Sequence, residues 1–215
     1  MPVPQLIISG VIVFLAYLFG SIPTGYWLGY QLKGIDIREH GSGSTGATNV
    51  FRTLGKKAGI SVLVIDLLKG VAAISLVKAL FVFNVEGFIP LSWKPWLVTL
   101  AAIAAVLGHS KSIWINFTGG KSVATSLGVL LMMSPLVALG TLGTFILIFA
   151  MFRIVSLGSI IGAIAVNVFM IILGQPLPYL LFSGIAGVYV IWRHQSNIQR
   201  LLAGEEPKLG QRLSQ

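Results

Sequence analysis

Three short segments hold most of the polar side chains of an otherwise apolar sequence, and each contains residue types that bind anions. The first segment, residues 41–59, reads GSGSTGATNVFRTLGKKAG. Its glycines let the backbone approach a ligand closely, its hydroxyl groups donate hydrogen bonds, and Arg52 offers a forked donor for a phosphate. The segment therefore indicates an anion-binding loop. The competing interpretation is a flexible loop that caps a helix and places Arg52 near lipid headgroups.

The second segment, residues 108–126, reads GHSKSIWINFTGGKSVATS. A Gly-Gly turn and Lys121 directly precede an apolar run, so a cation would lie beside the free N–H groups at the start of a helix. This arrangement predicts a second anion site. A nucleotide-binding P-loop is excluded because Ile115 occupies the position of its first glycine. The competing interpretation has Lys121 extending to the membrane surface.

The third segment, residues 192–210, reads WRHQSNIQRLLAGEEPKLG. On a helix that continues from the preceding apolar run, Arg193 and Asn197 are four residues apart and His194 and Asn197 are three apart, so they share a face. Arg200 follows three residues after Asn197, which adds a guanidinium group to the same face. His194 is the candidate general base, although a lone histidine at a helix end more often caps the helix or contacts a headgroup. Three such segments on one side favour a functional site.

The acidic residues are too few for metal chemistry. The chain has six Asp and Glu residues, and its only aspartates are Asp36 and Asp66. A catalytic Mg²⁺ site needs several clustered carboxylates, so we expect no metal and no other cofactor. The sequence has no cysteine, which excludes thiol chemistry and disulfides. An enzyme with this inventory must act on a phosphorylated, anionic substrate.

The composition shows which elements must position these segments. Of the 215 residues, 55% are hydrophobic and 10% are charged, and the mean hydropathy is +0.90. A soluble domain of this size could not bury so much apolar surface, so the chain is predicted to be an all-α integral membrane protein. Its net charge of +9 is then assigned to cytoplasmic loops or anion sites, and no nucleic-acid partner is expected.

Seven membrane-spanning helices are predicted within a single domain, 1–215. The apolar runs are divided at Ser134-Pro135 and at Gln175-Pro176-Leu177-Pro178. With the break at Pro135, the polar segments 31–57, 109–121 and 193–215 lie on the same side of the bilayer. Without it, the last segment lies opposite. The predicted spans are 6–30, 58–84, 93–109, 122–135, 136–152, 154–173 and 177–193.

The distribution of Lys and Arg sets the predicted orientation. The seven-helix arrangement leaves Lys94 alone in an outside loop, so the N-terminus is predicted outside and the C-terminus in the cytoplasm. Both halves of the 122–152 run are expected to be short. Within the spans, Asp66 and Lys69 are predicted to pair, and residues 21–25 to form a kink.

The three polar segments resemble the signature motifs of the PlsY family of bacterial acyl-phosphate-dependent glycerol-3-phosphate acyltransferases. GSGSTGATNVFRTLGKKAG, GHSKSIWINFTGGKSVAT and RHQSNIQRLLAGEE match in order and spacing, as do GSIPTGYWLG in the first span and DLLKG around Asp66. The resemblance implies transfer of an acyl group from acyl phosphate to the sn-1 hydroxyl of glycerol 3-phosphate, giving lysophosphatidic acid and phosphate. The His-x₄-Asp pair of other glycerolipid acyltransferases is absent.

The resemblance also implies a setting and partners. The protein is expected in the bacterial plasma (inner) membrane as a multi-pass protein with its active site on the cytoplasmic face. Its expected partners are glycerol 3-phosphate, a long-chain acyl phosphate and the lipid bilayer, with functional coupling to the enzyme that makes acyl phosphate.

Site residues are carried over position by position. By resemblance, the catalytic residues are Ser42, Arg52, Lys121, His194 and Asn197, and the substrate-binding residues are Gly41, Gly43, Gly46, Thr48, Asn49, Gly119, Gly120, Arg193 and Glu206. The chain departs from the family pattern at Ser44, where Asn is usual, at Thr118, where Lys is common, and at Ser122, where Gly is common. The change at Thr118 removes a cation, and Lys111 is near enough in sequence to replace it.

Two alternatives stay open from the sequence. The proton of the attacking hydroxyl passes either to His194 or to a phosphate of the substrate. A membrane transporter of phosphorylated small metabolites is the alternative function, and it predicts cations throughout the depth of the membrane. Only Lys69 and Lys78 lie within a predicted span and away from its ends, which weighs against a transporter.

Overall fold

The computed structural model describes residues 3–83 and 88–211, and every regular element in these two ranges is helical. This confirms the predicted all-α class. The α-helices are α1 Val3–Ser21, α2 Thr24–Lys33, α3 Ala47–Leu54, α4 Lys56–Val82, α5 Lys94–Ser110, α6 Val123–Met133, α7 Pro135–Phe152, α8 Val155–Ile172, α9 Leu177–Arg193 and α10 Gln195–Leu202. Single 3-10 turns occupy Ile37–Glu39, Leu91–Trp93 and Ile113–Ile115.

Five stretches in the described ranges are long and apolar enough to cross a bilayer, and two further apolar helices, α6 and α9, are shorter. The five are Val3–Lys33, Lys56–Val82, Leu91–Ser110, Pro135–Phe152 and Val155–Ile172. All seven helical stretches coincide with the predicted spans to within three residues at either end, except that residue 84, the predicted end of the second span, lies outside the described residues. The number of crossings stays a prediction.

The predicted kink in the first span is a complete break. α1 ends at Ser21 and α2 begins at Thr24, with Pro23 between them. The predicted ion pair fastens α4 to this break: Lys69 Nζ lies 3.0 Å from Asp66 Oδ1 and donates to the Ile22 carbonyl at 2.9 Å. Thr24 Oγ1 donates to the same Asp66 oxygen at 3.3 Å. The buried charges therefore compensate each other and hold two helices together.

The break predicted at Pro135 is also present, but the expectation that both halves would be short is wrong for the second. α7 has 18 residues, whereas α6 has 11, which is about 16 Å of helix. α6 is short because the polar turn before it lies within the bundle. Ser112 Oγ donates to the Ser21 carbonyl at 2.5 Å, and Ser122 Oγ donates to the Val106 carbonyl at 2.8 Å.

Glycines allow the helices around this turn to pack backbone against backbone. Gly20 and Gly108 lie at the contact between α1 and α5, and Gly70 and Gly128 lie at the contact between α4 and α6. A β-carbon at any of these positions would collide with the backbone of the facing helix. These contacts fix the end of α5 and the start of α6, and so the turn that joins them.

The predicted continuous helix through the third polar segment is wrong, because it is interrupted at His194. α9 ends at Arg193 and α10 begins at Gln195. The His194 N–H bonds the carbonyl of Ile191 at 2.9 Å, and the imidazole Nδ1 lies 2.7 Å from the carbonyl of Val190. In a regular helix, the Val190 carbonyl would accept a hydrogen bond from the backbone N–H of His194. Here it accepts from the imidazole instead, and the helix is broken at this residue.

A small separate core holds α3 in place. Ile37, Val50, Ala58 and Val62 are buried together beneath the loop that precedes α3. Because Val50 faces this core, Arg52 is directed away from it, toward the third polar segment.

Candidate active site

The Glu206 carboxylate is the centre of a polar network built from four parts of the chain. Its Oε1 atom accepts hydrogen bonds from Asn197 Nδ2 at 2.6 Å and from Ser156 Oγ at 2.7 Å. Its Oε2 atom accepts from Arg200 Nε at 2.7 Å. Burial alone would raise the pKa of Glu206, but these three hydrogen bonds outweigh it and hold the pKa below its ordinary value. Glu206 is therefore ionised at neutral pH.

Asn197 connects this carboxylate to the second polar segment. Its Nδ2 donates to Glu206, and its Oδ1 accepts a hydrogen bond from Lys121 Nζ. The two contacts fix the orientation of the amide, because the oxygen must face the cation and the nitrogen the carboxylate. Lys121 and Glu206 are thus linked through one side chain.

The ammonium group of Lys121 lies in a strongly cationic environment. Burial lowers its pKa, the charge of Glu206 opposes this, and the neighbouring Arg200, Arg193 and Arg52 lower it further, to about 8. Lys121 is therefore mostly protonated at pH 7 and close to its titration range. An anion bound beside it would raise its pKa and hold the charge in place.

Arg52 brings the first polar segment to the same place. Its NH2 donates to the Pro207 carbonyl at 3.2 Å, and its buried Nε has no partner among the described residues. Burial is the main cause that lowers the pKa of Arg52, and the charge of Glu206 partly opposes it. The guanidinium group remains charged, and its buried Nε–H is available to a ligand.

Arg193 holds the Gly-Gly turn that precedes Lys121. Its NH2 donates to the carbonyls of Gly119 at 3.2 Å and Gly120 at 3.0 Å. The Gly120 N–H donates to the His109 carbonyl at 3.2 Å, and a β-carbon on Gly120 would collide with the His109 ring. Arg193 Nε is buried and has no partner within residues 3–83 and 88–211.

His194 is neutral and presents one ring nitrogen as an acceptor. Nδ1 donates its proton to the Val190 carbonyl, so Nε2 carries the lone pair. Burial lowers the pKa of His194; the bond to Val190 and the charge of Glu206 oppose it, and Lys121 and Arg193 add to it, giving a value of about 4. The imidazole is unprotonated throughout the physiological range.

The first polar segment forms a loop that Asn49 organises from within. Asn49 Oδ1 accepts from the Ser42 N–H at 2.9 Å, and its Nδ2 donates to the carbonyls of Ile37, His40 and Ser44. Asn49 is buried, and its amide is fully used by these bonds. It is placed to shape the loop, and its predicted contact with substrate stays a prediction.

The other predicted residues of this segment lie in the same loop. Gly41 and Gly43 have φ of +60° and +67°, a conformation that favours glycine. Gly46 precedes α3, and Thr48 lies in its first turn. The Ser42 side chain is exposed and makes no hydrogen bond in the described part of the chain. Among the described residues, no hydrogen bond joins it to Lys121.

The structure thus joins Arg52, Lys121, Arg193, His194, Asn197 and Glu206 in one site, while the Ser42 loop lies apart from their direct contacts. Arg200 was predicted on the same helix face as Asn197, and both side chains indeed bind Glu206. The bond from Arg200 to Glu206 itself was not predicted. Ser156 was missed, because a serine in an apolar run carries no signal. Lys111, which the sequence offered as a replacement for the cation missing at position 118, is exposed. The hydroxyl of Thr118 accepts a hydrogen bond from Arg38 NH1 at 3.0 Å.

The site carries more positive charge than the described acidic residues compensate. Arg52, Lys121, Arg193 and Arg200 surround the single carboxylate of Glu206. Two of the arginines, Arg52 and Arg193, keep a buried N–H that has no partner among residues 3–83 and 88–211, and unsatisfied buried donors are costly. An anionic ligand would satisfy both the donors and the charge.

Comparison with known proteins identifies the family. A sequence profile described as glycerol-3-phosphate acyltransferase matches residues 10–204. The chain belongs to this acyltransferase family. It is 62% identical to the glycerol-3-phosphate acyltransferase of Crocosphaera subtropica over 97% of each protein, and 62% identical to that of Trichormus variabilis over 96% of this chain and 94% of the relative.

Solved structures of PlsY place the acyltransferase within the PlsY family. A crystal structure of PlsY, an integral membrane glycerol 3-phosphate acyltransferase, in its glycerol 3-phosphate form is 40% identical, covers 94% of this chain and 96% of that chain, and has a TM-score of 0.83. The lysophosphatidic acid form has a TM-score of 0.80. The predicted family is confirmed, the chain is an integral membrane acyltransferase, and the transporter alternative is disfavoured.

Proposed function

We propose that the protein transfers an acyl group from a long-chain acyl phosphate to the sn-1 hydroxyl of glycerol 3-phosphate, producing lysophosphatidic acid and inorganic phosphate. The observation that carries this proposal is the convergence of Arg52, Lys121 and Arg193 on one site, where each arginine keeps a buried donor without a partner in the described part of the chain. A phosphate monoester, glycerol 3-phosphate, meets a mixed anhydride, acyl phosphate, in this reaction, and both are anionic. A site with excess cationic donors suits them.

The chemistry needs orientation and charge stabilisation more than a strong nucleophile. The hydroxyl oxygen attacks the acyl carbonyl carbon, the bond from that carbon to the phosphate oxygen breaks, and phosphate leaves. Negative charge accumulates on the carbonyl oxygen and on the leaving phosphate. Arg52 and Lys121 hold the phosphates, and Asn197 and the N–H groups of the glycine loops supply further donors. Ser42 completes the proposed contacts from its loop.

The proton of the hydroxyl goes to a phosphate oxygen of the substrate in this proposal. His194, with a pKa of about 4, is a weaker base than a phosphate monoester, whose second pKa is about 6. A base works best when its pKa is near the operating pH. The neutral Nε2 of His194 then accepts a hydrogen bond from the hydroxyl and orients it.

The proposed setting is a bacterial inner membrane crossed seven times by one domain, with the N-terminus outside and the site on the cytoplasmic face. Five long and two shorter apolar helices supply the crossings. α6 crosses with fewer residues because it begins within the bundle. Glycerol 3-phosphate enters from the cytoplasm and the acyl chain from the bilayer. Acyl phosphate is a reactive mixed anhydride, which favours functional coupling to the enzyme that makes it.

A donor comparison tests the proposal. Purified protein in lipid is given labelled glycerol 3-phosphate with either acyl phosphate or acyl-CoA, and lysophosphatidic acid and phosphate are quantified. We expect product with acyl phosphate alone, with one phosphate released per acyl group transferred. Equal or greater turnover with acyl-CoA would contradict the donor assignment.

The variant His194→Ala tests the route of the proton. We expect kcat to fall by about ten- to one hundredfold, because an orienting contact is lost while the base remains on the substrate. The pH–rate profile should keep its rise near pH 6, which reports the substrate phosphate. A loss beyond about 10³-fold together with disappearance of that rise would instead make the imidazole the base.

A further inference from the structure

Arg38 joins the loop before the first polar segment to the 112–118 turn, which precedes Lys121. Its NH1 donates to the carbonyl of Ile115 at 3.1 Å and to Thr118 Oγ1 at 3.0 Å. Its Nε and NH2 bind the carboxylate of Asp36 at 2.6–3.1 Å. The guanidinium carbon also lies 4.9 Å from the centre of the Tyr26 ring. Every nitrogen of the guanidinium group is therefore engaged.

The turn that Arg38 holds has a strained backbone. Asn116 and Phe117 have φ of +56° and +53°, left-handed values that asparagine tolerates but that are unfavourable for phenylalanine. A strained conformation persists only where its surroundings enforce it. The Ser112 N–H bonds the Thr118 carbonyl at 3.1 Å, and the Phe117 N–H bonds the Ser112 carbonyl at 2.8 Å. The turn is closed at its base by these bonds and fastened from outside by Arg38.

Lys121 follows this turn by three residues and is held from the other direction by α9. Arg193 binds the carbonyls of Gly119 and Gly120, whereas Arg38 binds Ile115 and Thr118. Arg38, in the loop before the first polar segment, and Arg193, at the end of α9, therefore hold neighbouring parts of the segment 115–120. Because the two glycines between Thr118 and Lys121 are conformationally free, the position of Lys121 depends on the anchors that Arg38 and Arg193 supply.

We propose that Arg38 is a positioning residue for the acyltransferase, which holds the 112–118 turn so that Lys121 meets its anionic ligand. This inference rests on the proposed role of Lys121. Arg38 does not serve as a phosphate ligand itself, because Asp36 already neutralises its charge and all its nitrogens are engaged. The planar guanidinium group bonds Asp36 on one side and the 112–118 turn on the other, and the single ammonium group of a lysine cannot reproduce this geometry.

The test compares Arg38→Lys, Arg38→Ala and Thr118→Val, with Lys57→Ala as a control that removes one exposed cation from the same side. Steady-state kinetics give kcat and KM for glycerol 3-phosphate. Because a displacement of about 1 Å can cost about 10²-fold, we expect Arg38→Lys and Arg38→Ala to lower kcat at least about tenfold. Thr118→Val, which loses one of the two acceptors of NH1, should lower kcat by about two- to fivefold. Lys57→Ala should match the parent protein.

A second measurement is independent of the acyl donor. Modification of Lys121 by an amine-reactive reagent is followed by mass spectrometry with and without glycerol 3-phosphate. We expect glycerol 3-phosphate to protect Lys121 in the parent protein and to protect it poorly in Arg38→Lys. If glycerol 3-phosphate protects Lys121 in the parent protein but acyl phosphate gives no turnover, the proposal that acyl phosphate is the donor fails. The comparison of protection between the parent and Arg38→Lys still tests the role of Arg38.

The outcomes decide the proposal even if Arg38→Ala does not fold. Full kcat and full protection in both Arg38→Lys and Thr118→Val would overturn it. A raised KM with unchanged kcat in Arg38→Ala, restored by Arg38→Lys, would also overturn it, because that pattern belongs to a cation that binds phosphate directly. A melting temperature that falls in Arg38→Lys in parallel with kcat, at unchanged protection, would assign Arg38 a structural role only.

Discussion

Replacing Lys121 with methionine is expected to lower kcat/KM for glycerol 3-phosphate by roughly 10²- to 10³-fold, the loss typical of removing a donor that stabilises a developing anion. Methionine keeps much of the length and apolar volume of the lysine stem, so packing beside the Gly-Gly turn is preserved. Within residues 3–83 and 88–211, the lost ammonium group supplies the only hydrogen bond from the second polar segment to Asn197. Steady-state kinetics with acyl phosphate as donor measure the effect.

Lys111→Met provides the matched control. Lys111 lies in the same polar segment, but its side chain is exposed and makes no hydrogen bond in the described ranges. We expect this variant to keep kcat/KM within about twofold, as for most surface substitutions. A loss as large as that of Lys121→Met would show that net charge, rather than the position of Lys121, supports activity.

The pH dependence of the parent protein gives an independent check on the same residue. The pKa of Lys121 is lowered to about 8 in the free protein, so deprotonation above pH 8 removes a cation and should raise KM for glycerol 3-phosphate. A bound phosphate raises that pKa, so kcat should change less than KM. In Lys121→Arg the guanidinium stays charged, and the rise in KM should disappear. An unchanged alkaline rise in Lys121→Arg would assign it to another group.

Replacing Glu206 with glutamine is expected to lower kcat/KM by about 10²-fold and to reduce the melting temperature. The carboxylate accepts hydrogen bonds from Asn197, Ser156 and Arg200, and an amide can supply only one oxygen to these three donors. Hydrogen bonds to charged groups contribute about 1.5–3 kcal/mol each. Loss of the charge also frees Asn197 to turn, and Lys121 then loses its fixed acceptor.

Glu205→Gln is the control for this variant, since Glu205 is adjacent and exposed. It should leave both kcat/KM and the melting temperature unchanged. The measurement combines thermal unfolding in detergent with steady-state kinetics. A Glu206→Gln variant of parental activity and stability would remove Glu206 from the centre of the site.

Local chemistry explains which parts of the fold were predictable from the sequence. The breaks at Pro23 and Pro135 follow from the covalent geometry of proline, and the pair of Asp66 and Lys69 follows from helical spacing. The apolar runs themselves indicate membrane helices. In each case the signal lies within a few consecutive residues.

The site was predictable only in part because its contacts join distant segments. The bonds of Arg38 span 77 and 80 residues, and the bond from Ser156 to Glu206 spans 50. The tail that buries Glu206 folds back onto the junction of α7 and α8, where the Leu209 N–H bonds the Arg153 carbonyl at 2.8 Å. Composition and spacing do not indicate which of these distant residues come into contact. The break at His194 was missed because a side chain replaces a backbone donor there.

The central claim is that the three polar segments meet at one site on the cytoplasmic face. Because the chain contains no cysteine, each segment can carry a single reporter thiol at an exposed lysine outside the site, in the variants Lys56→Cys, Lys111→Cys and Lys208→Cys. Ser92→Cys marks the side that is predicted to lie outside. Labelling with a membrane-impermeant maleimide in inside-out and right-side-out vesicles should modify the three lysine replacements only from the cytoplasmic face and Ser92→Cys only from outside. Labelling of any one of the three from the opposite face would contradict a shared site.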